Sequence, residues 1–475
     1  MIKILVINGS PKGDYSTTLH TARYLQLRFP QIEFSFLIAG QRVKAWEKDF
    51  SPALEAIRNA DLLIFCYPVY TFLVPSQLHR FIELMKESGE DFSDKVATQL
   101  TTSKHFYDIT AHRFVEDNCA DMHIPFVEGL SADMDDLLTE KGRQEAEEWM
   151  RLVLWNVEKQ YYHTNKRIGT AIDIASTSAT IPPAVTKTGT MQAVIVTDCA
   201  PDDSELQLMI ARFRAKLPYE CDVVNILNFP FKGGCISCFN CSTNGKCFYK
   251  DGFDAFLRND IHRHDAILYA FRVKDHSMGY RFKVYDDRQF CNGHRTVTMG
   301  TPFGYLVAGD MQREENLRLV LEARAEVGGN FLAGIADDSK DTDAHIDQLA
   351  ATIAYAMEHR YTRPQNFLGV GGMKIFRDLI WQMRGLMRAD HRFFKSHGQY
   401  DFPQKKWATS LKIYLVGWLM GNKKLKAKMG NKMNEGMIKP YRQVLQNEEK
   451  RQSCQTASRL KTDPLKTKRT LNKKK

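Results

Sequence analysis

The sequence has no apolar run long enough to cross a lipid bilayer. The longest apolar stretch near its C-terminal end, residues 413–420, falls far short of the ~20 residues that a membrane helix needs. We also expect no secretory signal, because Met1 leads directly into a strand-like run with no basic segment and no cleavage site. We therefore expect a cytoplasmic protein with reduced thiols, in which disulfides are the least favoured use of the cysteines.

Acidic residues are scarce in the last part of the chain. Residues 361–475 contain 27 Lys and Arg but 7 Asp and Glu, whereas residues 1–360 contain 39 and 49. This asymmetry predicts that the basic part packs against the acidic body or a second subunit, or that it docks on an anionic membrane surface. Nucleic acid is not expected as a partner, because the basic residues accompany no recognition motif.

Two familiar phosphate-binding motifs, the Walker loop and G-x-G-x-x-G, are absent from residues 8–18. This segment nevertheless lies between a predicted strand and a predicted helix, where free N–H groups and hydroxyls can bind a phosphate. A Ser/Thr-rich helix cap is the alternative. The predicted cradle consists of Ser10, Lys12, Ser16, Thr17 and Thr18.

Apolar strands and amphipathic helices alternate twice along the chain, which predicts two doubly wound parallel sheets of the α/β class. The first set of strands is predicted at residues 3–8, 33–37, 62–66, 96–102 and 124–128, with helices at 16–28, 76–86 and 140–160. The second set is predicted at 192–197, 223–227, 266–271, 304–307 and 331–335, with helices at 204–216, 317–327 and 346–359.

This pattern divides the chain into five parts. Residues 1–162 form the first α/β domain, 163–190 a linker rich in Ser, Thr and Pro, and 191–362 the second domain. Residues 363–448 form a basic and mostly helical extension, in which 373–387 is amphipathic. Residues 449–475 are polar and basic, and we expect them to be disordered.

Two further loops follow predicted strands of the first domain. Ligands of such sheets bind beyond the carboxyl ends of the strands, where aromatic groups and backbone amides can cover a planar ring. Ordinary loop packing is the alternative. The candidate residues are Pro68, Val69, Tyr70 and Phe72 after the third strand, and Thr102, Ser103 and His105 after the fourth.

Four of the ten cysteines lie close together in the second domain, with the spacing C-x2-C-x2-C-x5-C. A thiolate at every third residue suits a [4Fe–4S] cluster, whereas a structural zinc site usually has two separated C-x2-C pairs. Zinc and metal-free packed thiols remain as alternatives. The four candidates are Cys235, Cys238, Cys241 and Cys247.

These loops resemble the NAD(P)H-dependent FMN reductases of flavodoxin-like fold. The resemblance rests on Gly9-Ser-Pro-Lys12 with Ser16 and Thr18, and on Pro68-Val-Tyr70 followed by Pro75-Ser-Gln-Leu78. It implies that the first loop holds the FMN phosphate and the other two hold the isoalloxazine. The four cysteines make the second domain similar to iron–sulfur flavoproteins of the same superfamily.

The second domain departs from this pattern at its own phosphate loop. Asp198, Asp202 and Asp203 take the place of the Gly-Ser sequence there, and carboxylates repel a phosphate. The resemblance thus implies FMN in the first domain, a cluster in the second, and electron transfer from NAD(P)H to a small-molecule or protein acceptor, in a protein that can be a homo-oligomer.

Two other functions are consistent with the same residues: a metal-free NAD(P)H:quinone or FMN reductase, and a non-enzymatic zinc-bearing adaptor. No side chain stands out as catalytic, because the flavin supplies the chemistry. His105, His276 and His294 are loop candidates for proton donation, and local hydrogen bonding is the alternative for each.

Overall fold

The first domain is a five-stranded parallel sheet covered by helices on both faces. A computed structural model describes residues 2–162, 178–339 and 341–421, and isolated positions between 438 and 454. The strands are β1 (Lys3–Asn8), β2 (Glu33–Leu37), β3 (Leu62–Pro68), β4 (Val96–Ser103) and β5 (Leu130–Asp133). The helices are α1 (Thr17–Arg28), α2 (Ala39–Trp46), α3 (Ser51–Arg58), α4 (Ser76–Glu87), α5 (Asp108–Asp121) and α6 (Glu140–Lys159).

The second domain repeats this architecture. Its strands are β6 (Gln192–Thr197), β7 (Glu220–Asn225), β8 (Ala266–Arg272), β9 (Phe303–Ala308) and β10 (Leu332–Asp337). Its helices are α7 (Ser204–Lys216), α8 (Asn240–Asn244), α9 (Phe253–Phe256), α10 (Gly279–Arg288), α11 (Glu315–Gly328) and α12 (Thr342–His359). The strand orders are β2-β1-β3-β4-β5 and β7-β6-β8-β9-β10, so both sheets have the flavodoxin-like order 2-1-3-4-5. The predicted fold class is confirmed.

Two predicted strands are misplaced. The fifth strand of the first sheet is β5, whereas residues 124–128 contribute a single bridge between Phe126 and Ala97. Pro125 cannot donate to a ladder, and regular pairing with β4 starts at Leu130. In the second sheet, β7 begins three residues before the predicted 223–227. Helices α2, α3 and α5 of the first domain and α8, α9 and α10 of the second were not predicted.

Helices α4 and α10 join the two domains through reciprocal caps. The Ser76 N–H at the start of α4 donates to Asp287 Oδ2 of α10 at 2.8 Å. The Tyr280 N–H near the start of α10 donates to Glu83 Oε1 of α4, also at 2.8 Å. A carboxylate at a helix N-terminus satisfies free N–H groups and the helix dipole. The two helices are therefore fixed in one register, which sets how the loops of the two domains face each other.

The C-terminal extension continues as α13 (Phe367–Gln382), α14 (Arg388–Ser396) and α15 (Trp407–Gly421). Residues 1–399, with α13 and α14, form one compact unit, and residues 400–475, with α15, form another. Helix α13 packs on α11 and α14 packs on α8. Within the described part of the chain, no helix is long and apolar enough to traverse a bilayer.

The predicted linker and tail lie partly outside the described residues. Residues 163–177 and most of 449–475 are among those not described. Residues 178–190 have no regular structure but are held against the second domain. Val185 N–H donates to the Ala215 carbonyl at 2.9 Å, and Thr188 N–H donates to the Pro218 carbonyl at 2.7 Å.

Candidate active site

A cavity of about 230 Å³ lies between the two domains, at the carboxyl ends of β1, β3 and β4. Both groups of residues singled out in the sequence line it. The lining includes ten of the twelve predicted cofactor-binding residues: Ser10, Lys12, Ser16, Thr17, Thr18, Pro68, Val69, Tyr70, Thr102 and Ser103. It also includes all four clustered cysteines: Cys235, Cys238, Cys241 and Cys247. The cysteine loop of the second domain thus faces the three loops of the first.

The first loop is shaped by its own short side chains. Asn8 Nδ2 donates to the Gly13 carbonyl at 3.1 Å, and the Ser10 N–H donates to Asn8 Oδ1 at 3.1 Å. Ser16 is the N-cap of α1, and its hydroxyl accepts from the Leu19 N–H. The loop therefore turns tightly into α1 and directs the helix N-terminus toward the cavity, an arrangement that favours an anion.

The loop after β3 is held from the second domain. Lys283 Nζ of α10 donates to the Tyr70 carbonyl at 3.0 Å, and Thr71 Oγ1 donates to Asp287 Oδ1 at 2.8 Å. Burial raises the pKa of the Tyr70 phenol, so it stays neutral. Lys283 and Asp287 are both fully buried and hydrogen-bonded to each other. This ion pair fixes the Pro68–Tyr70 wall of the cavity.

Two predicted cofactor-binding residues do not line this cavity. Phe72 is buried on a neighbouring cavity of about 150 Å³ and packs against Phe106 and Tyr107. His105 is half exposed, and its Nδ1 lies 2.9 Å from Asp108 Oδ2. The sequence could not separate them from their neighbours, because the contacts of Phe72 and His105 depend on how each loop folds and not on residue type.

The cysteine loop is pressed against the first domain at Gly234. A Cβ on Gly234 would lie 2.1 Å from Ser76 Oγ of α4, so no larger residue fits. Next to it, Gln77 Nε2 donates to the Cys235 carbonyl at 3.4 Å. The start of α4 therefore supports both the loop after β3 and the cysteine loop.

Two cations flank the four sulfurs. Arg288 forms a buried bidentate ion pair with Asp251, in which Nη1 and Nη2 each donate to a carboxylate oxygen at 2.8 Å. Arg288 Nη2 also lies 3.8 Å from Cys247 Sγ. Lys12 Nζ is 5.3 Å from the ring centre of Phe239, inside the cysteine loop. Burial lowers the pKa of Lys12, and the neighbouring Cys235 and Cys238 oppose that shift. Positive charge near sulfur favours thiolates over thiols.

The four cysteines do not form a compact group of ligand atoms in the described part of the chain. Burial raises the pKa of Cys235 and Cys247, and it raises that of Cys241 to about 11. Among the described residues, no three cysteine sulfurs lie within 4.8 Å of one another. A zinc ion with Zn–S bonds of about 2.3 Å holds its four sulfurs about 3.8 Å apart. A four-iron cluster binds each thiolate through a different iron, which places the sulfurs farther apart.

Helix α13 of the extension supplies a further wall, which the sequence did not predict as part of the site. Ile375, Phe376, Leu379 and Met383 line the cavity beside the loop residue Phe106. Phe376 stacks on Phe106 with ring centres 4.4 Å apart. The apolar face of residues 373–387 was a sequence signal for packing, but periodicity does not tell which surface a helix covers.

The three candidate histidines lie in different surroundings, and one of them lines the cavity. His276 lies between Asp121 and Glu314, at 2.9 and 3.0 Å. Burial opposes its charging, but the hydrogen bonds to both carboxylates outweigh it and raise its pKa to about 9. His276 therefore joins the domains, and His105 lies away from the cavity. His294 is the one of the three that lines it.

The second domain fills its own anion position. Asp203 caps α7 by accepting from the Leu206 N–H at 3.2 Å, and Arg272 pairs with the same carboxylate at 2.7 Å. Burial raises the pKa of neighbouring Asp198 to about 7. A phosphate would have to displace a carboxylate that is already bound to the helix and to an arginine.

One other group of potential metal ligands lies at the domain interface. His79 Nε2 is 3.8 Å from Glu83 Oε1 and 4.0 Å from Asp275 Oδ2, and burial lowers the pKa of His79 to about 3. Three cations already pair with these carboxylates: Arg80, Lys86 and Lys274. The charge is therefore balanced without a metal ion.

Comparison with known proteins finds a family model and a curated relative that each match part of the chain. Residues 2–112 match the sequence model of the NADPH-dependent FMN reductases. An iron–sulfur flavoprotein of Archaeoglobus fulgidus is 29% identical over 173 residues, which cover 34% of this chain and 78% of that protein. The family match confirms the predicted resemblance and the prediction of an NAD(P)H-dependent, FMN-containing oxidoreductase.

Similar solved structures include an FMN-dependent NADH-azoreductase from Bacillus anthracis in complex with FMN. It is 14% identical, with a TM-score of 0.26, and the match covers 32% of this chain and 99% of that one. An NAD(P)H:quinone oxidoreductase from Methanothermobacter marburgensis is 12% identical, with a TM-score of 0.27, covering 33% and 96%.

Proposed function

We propose that the first domain binds FMN in the cavity, that the four cysteines hold a [4Fe–4S] cluster in the facing wall, and that electrons pass from NAD(P)H through both to an acceptor. The observation that carries this proposal is the shared cavity. Residues of the two domains, more than 100 positions apart in the sequence, line one space. Cofactors bound to these walls would lie side by side, with no need for a mobile carrier.

The first domain's residues suit FMN. Ser10, Ser16 and Thr18 offer hydroxyls to a phosphate at the N-terminus of α1, and Lys12 adds a positive charge. The Pro68–Tyr70 segment is fixed by Lys283 and Asp287 and offers backbone groups to the edge of a planar ring. FMN supplies hydride acceptance and single-electron donation when it is bound. The protein's part is to bind the flavin, orient it and exclude water from it.

The cysteine loop suits a cluster better than zinc. The sequence spacing C-x2-C-x2-C-x5-C favours the cluster, and Arg288 and Lys12 offset the negative charge that four thiolates bring. The iron–sulfur flavoprotein similarity of this chain points the same way. A metal-free quinone or FMN reductase and a zinc-bearing adaptor remain as alternatives for the test.

The test is an anaerobic absorption spectrum with iron, acid-labile sulfide, zinc and FMN determined on the same sample. We expect about four irons per chain together with FMN. Cys238→Ser should remove the iron and retain FMN, while Cys454→Ser, an exposed cysteine outside the cavity, should change neither. FMN without iron would favour the metal-free reductase, and zinc without FMN would favour the adaptor.

We further propose that the basic C-terminal region contacts an anionic membrane surface. Several large apolar side chains of α15 are exposed, among them Leu411 at 64%, Tyr414 at 79% and Trp418 at 75%. Four lysines follow the helix, at positions 423, 424, 426 and 428. Exposed apolar groups next to lysines are the combination that lies in a lipid interface and meets anionic headgroups.

A further inference from the structure

We propose that the cavity contains a subsite for an aromatic carbonyl acceptor of the quinone class, in which His294 donates to the acceptor oxygen and Asp390 positions His294. This inference rests on the proposed function, because it concerns where the electrons leave. It assigns a role in the site to helices α13 and α14, which come from the basic extension.

The aromatic side chains form a continuous arc from the flavin loop to α13. The ring of Tyr70 meets Phe290 at 6.4 Å, Phe290 meets His294 at 5.8 Å, and His294 meets Phe376 edge-on at 4.9 Å. All four residues line the cavity. An arc of ring edges and faces selects a planar conjugated molecule over an aliphatic one.

Asp390 of α14 holds the loop that carries His294. The carboxylate is fully buried, and its Oδ2 lies 2.9 Å from His294 Nδ1 and accepts the His294 N–H at 3.2 Å. A Cβ on Gly293 would lie 2.2 Å from Asp390 Oδ1, so this close approach needs glycine. Because Asp390 accepts from Nδ1–H, Nε2 is the ring nitrogen left for a ligand, and it donates a proton when the ring carries both.

Quinone reduction needs a side chain that can pass a proton to the quinone oxygen. Reduction of a quinone to a hydroquinone consumes two electrons and two protons, while NAD(P)H supplies two electrons and one proton. The second proton comes from water. One of the two protons reaches the quinone oxygen through His294 Nε2, which then recovers a proton from solvent. Ferricyanide, a one-electron acceptor that takes up no proton, does not need His294.

Two acceptors therefore test the role of His294. We expect His294→Gln to lower kcat with 2-methyl-1,4-naphthoquinone at least about tenfold and to leave ferricyanide reduction unchanged. Asp390→Asn should have the same effect to a smaller extent. His359→Gln, on an exposed part of α12, is the matched control. An equal loss with both acceptors, or no loss with either, overturns the proposal.

The wall is tested separately by equilibrium binding. We expect Phe376→Ala to weaken binding of the naphthoquinone to the oxidised protein about tenfold, measured by calorimetry without NAD(P)H. The wild-type protein gives a check that needs no variant: a solvent deuterium isotope effect should appear with the quinone and not with ferricyanide. Its presence supports proton transfer to the quinone within the rate-limiting step.

The outcomes also separate this inference from the proposed function. If the wild-type protein reduces ferricyanide with NAD(P)H but neither binds nor reduces the quinone, the acceptor subsite is refuted and the electron-transfer function stands. If the FMN-supplemented protein oxidises NAD(P)H with neither acceptor, the proposed function itself is refuted.

Discussion

The two domains share a strand order and keep the same loop after their third strands, yet they treat an anion in opposite ways. Thr71 and Phe72 in the first domain and Asp275 and His276 in the second all have positive φ, and an antiparallel bridge closes each turn. At the helix after the first strand, the first domain has hydroxyls and Lys12, whereas the second has Asp203 already paired with Arg272. The second domain thus keeps the loop that builds the interface, but Asp203 fills the position where the first domain could bind an anion.

The two helix caps that join the domains have different partners. The largest loss of unfolding free energy is expected from changes at this interface. Asp287 caps α4 and pairs with fully buried Lys283, whereas Glu83 caps α10 and pairs with Arg80, which has Glu47 and Glu87 as further partners. Asp287→Asn leaves buried Lys283 with Asp286, 3.8 Å away, as its remaining carboxylate, and should cost about 3 kcal/mol of unfolding free energy.

Glu83→Gln is the matched change on the other side. It should cost about 1 kcal/mol, because Arg80 keeps its other carboxylates and the amide oxygen can still accept from Tyr280. Urea unfolding of both variants measures the difference. Equal losses would mean that the two caps are equivalent and that burial of Lys283 contributes nothing extra.

Matched substitutions in the loops after β1 and β6 test whether the first domain, and not the second, binds the FMN phosphate. Ser16→Ala with Thr18→Ala should weaken FMN binding about a hundredfold, if each hydroxyl bond to a charged phosphate contributes about 1.5 kcal/mol. Asp202→Ala with Ser204→Ala should leave the affinity unchanged, because the Asp203–Arg272 pair fills the second site. Fluorescence titration with FMN gives both constants, and full affinity in the first double variant would move the flavin elsewhere.

Most of the sheet and part of the site could be predicted from the sequence, for physical reasons. Buried parallel strands read as apolar runs, so β1 and β6 have the predicted bounds. The edge strand β2 also has the predicted bounds, through its alternating apolar residues. Short motifs such as Ser10–Thr18 fold locally, and ten of twelve candidates line one cavity. Its other walls depend on contacts between distant segments, such as α13 against Phe106 or Asp390 against His294, and no local pattern encodes which surface a helix meets.

The loop after the third strand offers a pH-dependent comparison, since Phe72 in one copy corresponds to His276 in the other. Hydrogen bonds to Asp121 and Glu314 outweigh burial and raise the pKa of His276 to about 9. A raised pKa stabilises the fold fully below the unfolded value of about 6.5, and that contribution is lost as the pH rises through 9. Because Asp121 is partly exposed, we expect a loss of about 2 kcal/mol.

His276→Gln should abolish this pH-dependent loss of stability. Its unfolding free energy should lie below that of the wild type at pH 6 and meet it near pH 10. Urea unfolding across this range provides the measurement. A constant gap between the two proteins would show that the imidazole acts through shape and not through its charge.

The last comparison lies within the C-terminal extension. Helix α13 buries Ile380 and Gly372, whereas α15 exposes Leu411, Tyr414 and Trp418. If α15 meets lipid, the full chain should co-sediment with anionic vesicles at low salt, and less so at high salt or with zwitterionic vesicles. Each lysine near the surface contributes about 1 kcal/mol, so the salt effect should be marked. A chain ending at Gln399, the boundary of the larger compact unit, should not sediment and should still take up FMN.

If the full chain does not bind anionic vesicles at low salt, the membrane contact is refuted. Exposed apolar groups on α15 would then be better explained by a second copy of the chain, which a concentration-dependent change in mass by light scattering would reveal.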